Sequence, residues 1–128
     1  MKVTRFTEAA PYAAPNHYDM RSLRLQGFDP AGPQAFWTGL SHFLPGGGAG
    51  PDASPLEKVY VMVAGELTVK VGDTEVVLGP MDSCFIPGGE TREVKNNANS
   101  VATMLVVMPY PSKKEGNLKW SQQHQTTG

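Results

Sequence analysis

The chain has 128 residues, with 11 Lys and Arg against 12 Asp and Glu and a net charge of −1 at pH 7. That balance holds no basic block, so a nucleic-acid surface has no electrostatic footprint. No stretch approaches the ~20 apolar residues that span a bilayer. With 40% hydrophobic and 18% charged residues, the chain is globular rather than disordered and has the size of one domain. Fourteen glycines and eleven prolines favour short strands and tight turns over a helical bundle. The single cysteine, Cys84, excludes an intrachain disulfide. MKVTRFTEAAPY lacks the apolar run of a signal peptide, so a soluble cytoplasmic protein without membrane partners is expected.

Residues 2–7 suggest a short edge strand, and 9–17, with two prolines, an extended N-terminal arm. DMRSLRLQG (19–27) reads as a strand closed by glycine, followed by an Asp-Pro and Gly-Pro turn. QAFWTGLSHFL (34–44) reads as an aromatic-rich strand that Pro45 and the glycine run should end. Residues 46–55 then form a loop. EKVYVMVAG (57–65) is a strand with a continuous apolar run, which predicts cover on both faces. ELTVKV and TEVVLG pair as a hairpin across Gly72-Asp73. Short strands follow at 82–86, 91–96 and 101–111, and 112–128 is a polar tail. Nine or ten short strands at even spacing predict an all-β antiparallel barrel or sandwich.

Two segments narrow that choice. In the first, Gly46 is followed after five residues by Asp52, then Ser54, Lys58 and, six residues on, Gly65. In the second, Met81 to Asn96, Pro87, Gly89, Arg92 and Asn96 keep a fixed spacing. These resemble the two motifs of the cupin family, G-x5-H-x-H-x3,4-E-x6-G and G-x5-P-x-G-x2-H-x3-N. The resemblance spans about residues 36 to 110. It implies a jelly-roll barrel (a double-stranded β-helix) whose motif strands line one pocket. It also implies a divalent metal held by two His, one Glu and one His. Here those positions hold Asp52, Ser54, Lys58 and Arg92.

Lysine and arginine are cations without a free lone pair, so this set is expected to bind neither metal nor other cofactor. Glu57 sits one residue from Lys58, and a bulge would exchange which of them points inward. With Lys58 and Arg92 inward the pocket is cationic and suits a small anionic ligand. Arg92 would grip a carboxylate bidentately. Lys58, desolvated beside another cation, would act as acid or base. Tyr60, on the Lys58 face, would orient the ligand or supply a proton. Asp52 and His42 complete the expected ligand-binding set. The alternative is that the cations form ion pairs at the rim and do no chemistry.

Three functions follow from this set. One is a metal-independent isomerase, lyase or epimerase. The second is a non-catalytic binding or sensor barrel. The third is a metal-dependent dioxygenase with atypical ligands. A homodimer is expected, because strands 57–64 and 101–108 read as apolar on both faces and one barrel core can cover only one face of each. The N-terminal arm would be free to join a partner's sheet edge.

Overall fold

The computed structural model describes residues 1–111; the tail over 112–128 lies outside the described residues. A 3-10 turn at Phe6–Glu8 precedes nine strands. They are β1 (Ala10–Tyr12), β2 (His17–Gln26), β3 (Phe36–Ala53), β4 (Lys58–Ala64), β5 (Leu67–Val71), β6 (Thr74–Leu78), β7 (Ser83–Ile86), β8 (Thr91–Lys95) and β9 (Ala102–Pro109). All pairings are antiparallel. They run in the order β6-β5-β8-β3-β9-β4-β7, with β2 on β3 and β1 on β2. This path rolls into a nearly closed jelly-roll barrel, the expected fold class.

The N-terminus differs from its sequence reading. Residues 2–7 form no strand, and the 3-10 turn lays Phe6 edge-on against His42 with ring centroids 5.9 Å apart. The arm pairs with its own chain: Ala10 faces Arg24 and Tyr12 faces Ser22. It is therefore occupied in cis.

β3 also departs from expectation. It does not stop at Pro45 but runs for 18 residues through the glycines. Its first part, Phe36 to Phe43, pairs with β9, and its second, Gly48 to Ala53, pairs with β8. The glycines form the corner that carries one strand between two layers. Gly46 has φ +85°, and a Cβ on Gly47 would run into the Asp19 carbonyl, one on Gly48 into that of Val94. Only residues without side chains let three backbones approach there.

β4 alternates in burial. Lys58, Tyr60 and Met62 are buried, while Val59 and Val63 are 37% and 50% exposed. Among the described residues only the inner face is covered, and the expected second cover is not found. β5 and β6 form the expected hairpin, with Gly72 at φ +58°.

Asn96, last residue of the second motif, is fully buried and holds the far end of the barrel. Its Nδ2 donates to the Phe43 and Ser100 carbonyls, both at 2.9 Å, and its Oδ1 accepts from the Ala98 N–H at 2.9 Å.

Candidate functional site

Strand register brings the motif residues to one end of the barrel. Lys58 lies opposite Ile86, Val59 opposite Val107, and Trp37 opposite Met108. Lys58, Met108 and Trp37 therefore share one inner level. Arg92 comes from the facing layer, between Asp52 of β3 and Val71 of β5.

Lys58 is 3% exposed and Arg92 2%. Glu57 is exposed, so the register places Lys58, not Glu57, inside. Burial is the main cause that pushes the Lys58 pKa down to about 8; the Arg92 charge adds to it and Asp52 opposes it. An appreciable share of this amine is neutral near physiological pH, as a proton-transfer group requires. Tyr60 occupies the next inner position and is fully buried. Burial pushes its pKa up to about 12, with Arg92 pulling the other way, so it remains a neutral hydroxyl.

Asp52 lies at the rim, exposed and across from Arg92. Its carboxylate accepts the Ala53 N–H at 2.9 Å. Among the described residues the sole ion pair within 4.0 Å joins Lys2 to Asp29, so neither interior cation is neutralised by a rim carboxylate. The ion-pair alternative for Lys58 and Arg92 is thus not what the fold builds. Arg92 Nε and Nη1 are buried without a hydrogen-bond partner. Trp37 Nε1 and Ser41 Oγ share that state on the inner face of β3. All are donors, and they call for an acceptor.

His42 corrects the expected set. Along β3, Trp37, Gly39, Ser41 and Phe43 are buried, so His42 has the opposite parity. Its Nδ1 lies 3.0 Å from Thr103 Oγ1, and its ring packs under Phe6 on the outer face. It does not line the interior. Residues not expected there do. Tyr12 stacks edge-on with Trp37 at 5.8 Å, and the Arg24 guanidinium lies 4.8 Å from the Tyr12 ring, 4.2 Å from Phe28 and 5.9 Å from Trp37. The period-two alternation of β3 was the signal that could have excluded His42. Nothing local marks Tyr12, which enters through the pairing of β1.

Cys84 lies opposite Tyr60 in register and is half-buried. Burial raises its thiol pKa, which disfavours the thiolate that nucleophilic chemistry needs. Among the described residues this mouth offers no ligand set suited to a divalent metal. The family's ligand positions hold one carboxylate, one hydroxyl and two cations. Among the described residues no group of three or more His, Cys, Asp or Glu comes together.

The Cupin domain family model matches residues 39–108. The β-D-galactosidase Rv1717 of Mycobacterium tuberculosis (strain ATCC 25618 / H37Rv) is 41% identical over 111 residues, covering 87% of this chain and 96% of that protein. The polyketide cyclase RemF from Streptomyces resistomycificus superposes with a TM-score of 0.76 at 19% identity, over 98% of this chain and 99% of its own. A predicted oxalate decarboxylase from Thermotoga maritima gives 0.71 at 21% identity, over 85% and 98%. These two structural likenesses speak for the fold. On sequence and on fold, the chain belongs to the cupin family, with the cations Lys58 and Arg92 at two of that family's four ligand positions.

Proposed function

We propose that the barrel interior binds a small carboxylate through Arg92 and Lys58, without a metal, and catalyses a proton transfer on it of the isomerase, epimerase or lyase type. One observation carries this reading: Arg92, 2% exposed, has two donor nitrogens, Nε and Nη1, without partners beside a buried lysine. Buried cations without a counter-charge are costly, and an anionic ligand would offset that cost. Arg92 would hold the carboxylate, neutral Lys58 would take a proton from the adjacent carbon, and the Tyr60 hydroxyl would orient the ligand. Proton exchange at that carbon in deuterated water, followed by NMR for a panel of hydroxy- and keto-carboxylates, tests it. Exchange lost in Lys58→Met with binding retained supports the catalytic reading. Binding without exchange in the wild type would leave a non-catalytic binding barrel.

A second reading is favoured by the relative from M. tuberculosis. A β-galactoside would offer hydroxyl acceptors to Trp37 Nε1 and Ser41 Oγ. Glycoside hydrolysis, however, ordinarily uses two carboxyl groups roughly 5–9.5 Å apart, and the motif positions supply one, Asp52. Hydrolysis of a chromogenic β-D-galactoside that is lost in Asp52→Asn would favour this reading over the first.

The outer face supports a homodimer. Phe36, Val59 and Phe85 are 46%, 37% and 58% exposed around a groove of about 260 Å3. β7 is an open sheet edge beside it. Light scattering at micromolar concentration should give a dimer, and Phe85→Glu a monomer.

A further inference from the structure

We propose that the interior site takes a sugar acid, a polyhydroxylated carboxylate of monosaccharide size, with its carboxylate on Arg92 of one layer and hydroxyl oxygens on Trp37 Nε1 and Ser41 Oγ of the other. This ligand class rests on the reading of Arg92 as a carboxylate anchor. It follows from where the buried donors without partners stand. Arg92 Nε and Nη1, Trp37 Nε1 and Ser41 Oγ are all in that state, and their residues are 2%, 0% and 0% exposed. Arg92 belongs to β8, whereas Trp37 and Ser41 belong to the first part of β3, which pairs with β9 rather than β8. The orphaned donors therefore lie on two facing layers, and packed sheets stand about 10 Å apart. A ligand that satisfies all of them carries acceptors at both ends.

Neighbouring side chains link the two layers around one space. The Trp37 ring meets Tyr12 edge-on at 5.8 Å. Tyr60, whose pKa is raised mainly by burial, also feels Arg92 and Tyr12. Lys58, shifted mainly by burial, also feels Arg92 and shares its inner level with Trp37. Gly39 separates Trp37 from Ser41 on the inner face of β3. A Cβ there would come within 2.9 Å of Tyr12 Oη and 3.0 Å of Trp37 Cζ3. The missing side chain thus admits both rings to the interior, over the stretch of β3 that carries the two orphaned donors.

The types of donor select the ligand. A buried donor without an acceptor keeps the full cost of its lost bond to water. A fatty or plain aryl carboxylate would pair with Arg92 and leave Trp37 Nε1 and Ser41 Oγ orphaned. Those two are neutral, single donors, which suit a hydroxyl or carbonyl oxygen rather than a second full charge. The Trp37, Tyr12 and Tyr60 rings add apolar faces with polar tips. The C–H face of a sugar can rest on such rings while its hydroxyls reach the donors. A carboxylate, several hydroxyls and an apolar face occur together in a sugar acid.

Calorimetric titration of the full chain with D-galacturonate and D-glucuronate tests this. Propionate, which has the carboxylate alone, and D-galactose and D-glucose, which have the hydroxyls alone, are the comparisons. At least one uronate should bind about tenfold or more tightly than propionate and than either hexose. Trp37→Phe keeps a ring and deletes the donor, and Ser41→Ala deletes the hydroxyl. Each should weaken the tighter uronate about two- to tenfold and leave propionate unchanged. Gly39→Ala, whose Cβ crowds Tyr12 and Trp37, should weaken the uronate likewise with every donor still present. Uronates that bind no more tightly than propionate overturn the sugar-acid class and leave the carboxylate anchor standing. Hexoses that bind as tightly as the uronates, with Arg92→Ala without effect, remove the anchor and the proposed function with it. Losses that are equal for propionate and uronate in both Trp37→Phe and Ser41→Ala, or absent in both, also overturn the proposal.

Discussion

Lys58 and Arg92 stand on facing layers of one barrel, both buried, each close enough to feel the other's charge. Among the described residues neither has a carboxylate within 4.0 Å. Two like charges out of water, with Asp52 only a partial and more distant counter-charge, destabilise the fold. This arrangement has measurable consequences with or without a ligand.

The first concerns stability against pH. The Lys58 amine has a pKa of about 8 when folded, against 10.5 ordinarily. Between those values the unfolded chain binds more protons than the folded one, so stability rises with pH across that window. Below about 8 the full cost is present, and it corresponds to roughly 3 kcal/mol. Lys58→Met should therefore be more stable than wild type at neutral pH, by up to that amount. The difference in denaturant unfolding free energy should shrink as pH rises toward 10.5. A difference that is flat from pH 7 to pH 10 would show that Lys58 is not charged and buried as described.

Asn96 is a structural counterpart. Asn96→Ala would orphan the Phe43 and Ser100 carbonyls and the Ala98 N–H. A loss of about 3 kcal/mol is expected, about 1 for each bond. Urea denaturation of the variant is the check, and a loss below about 1 kcal/mol would mean that water replaces the side chain without penalty.

Met81 stands at the position of the second motif's first glycine and holds φ +71° while 79% exposed. A side chain in that conformation costs about 1–2 kcal/mol. Met81→Gly should stabilise the protein by about 1 kcal/mol, less what glycine loses in chain entropy. Met81→Ala, which keeps the strain, should not. Equal midpoints of thermal unfolding for the two variants would contradict this.

The barrel was legible from alternating apolar strands and from turn chemistry such as Gly72-Asp73. Motif spacing correctly placed Lys58 and Arg92 within it. What was hidden depends on long-range contact. The glycines after Pro45 read locally as a strand's end, yet they exist to let Asp19, Gly47 and Val94 backbones meet at the β3 corner. Tyr12 sits in an arm without periodicity, and only its pairing with Ser22 turns it inward. His42 was misassigned because its residue type was weighed before the parity that Trp37, Ser41 and Phe43 set. The both-face cover expected of β4 is not found within one chain, where Val59 and Val63 remain exposed.

The most direct test of the cationic pocket is calorimetric titration of small carboxylates into wild type and Arg92→Ala, with metal content measured on the same samples. Each charge-assisted bond to Arg92 contributes roughly 1.5–3 kcal/mol. The variant should therefore bind a cognate carboxylate about ten- to a hundredfold more weakly. Its stability should change little, because removing one of two like charges relieves their repulsion. Equal affinity in both proteins, or a stoichiometric metal bound at this mouth in the wild type, would contradict the account.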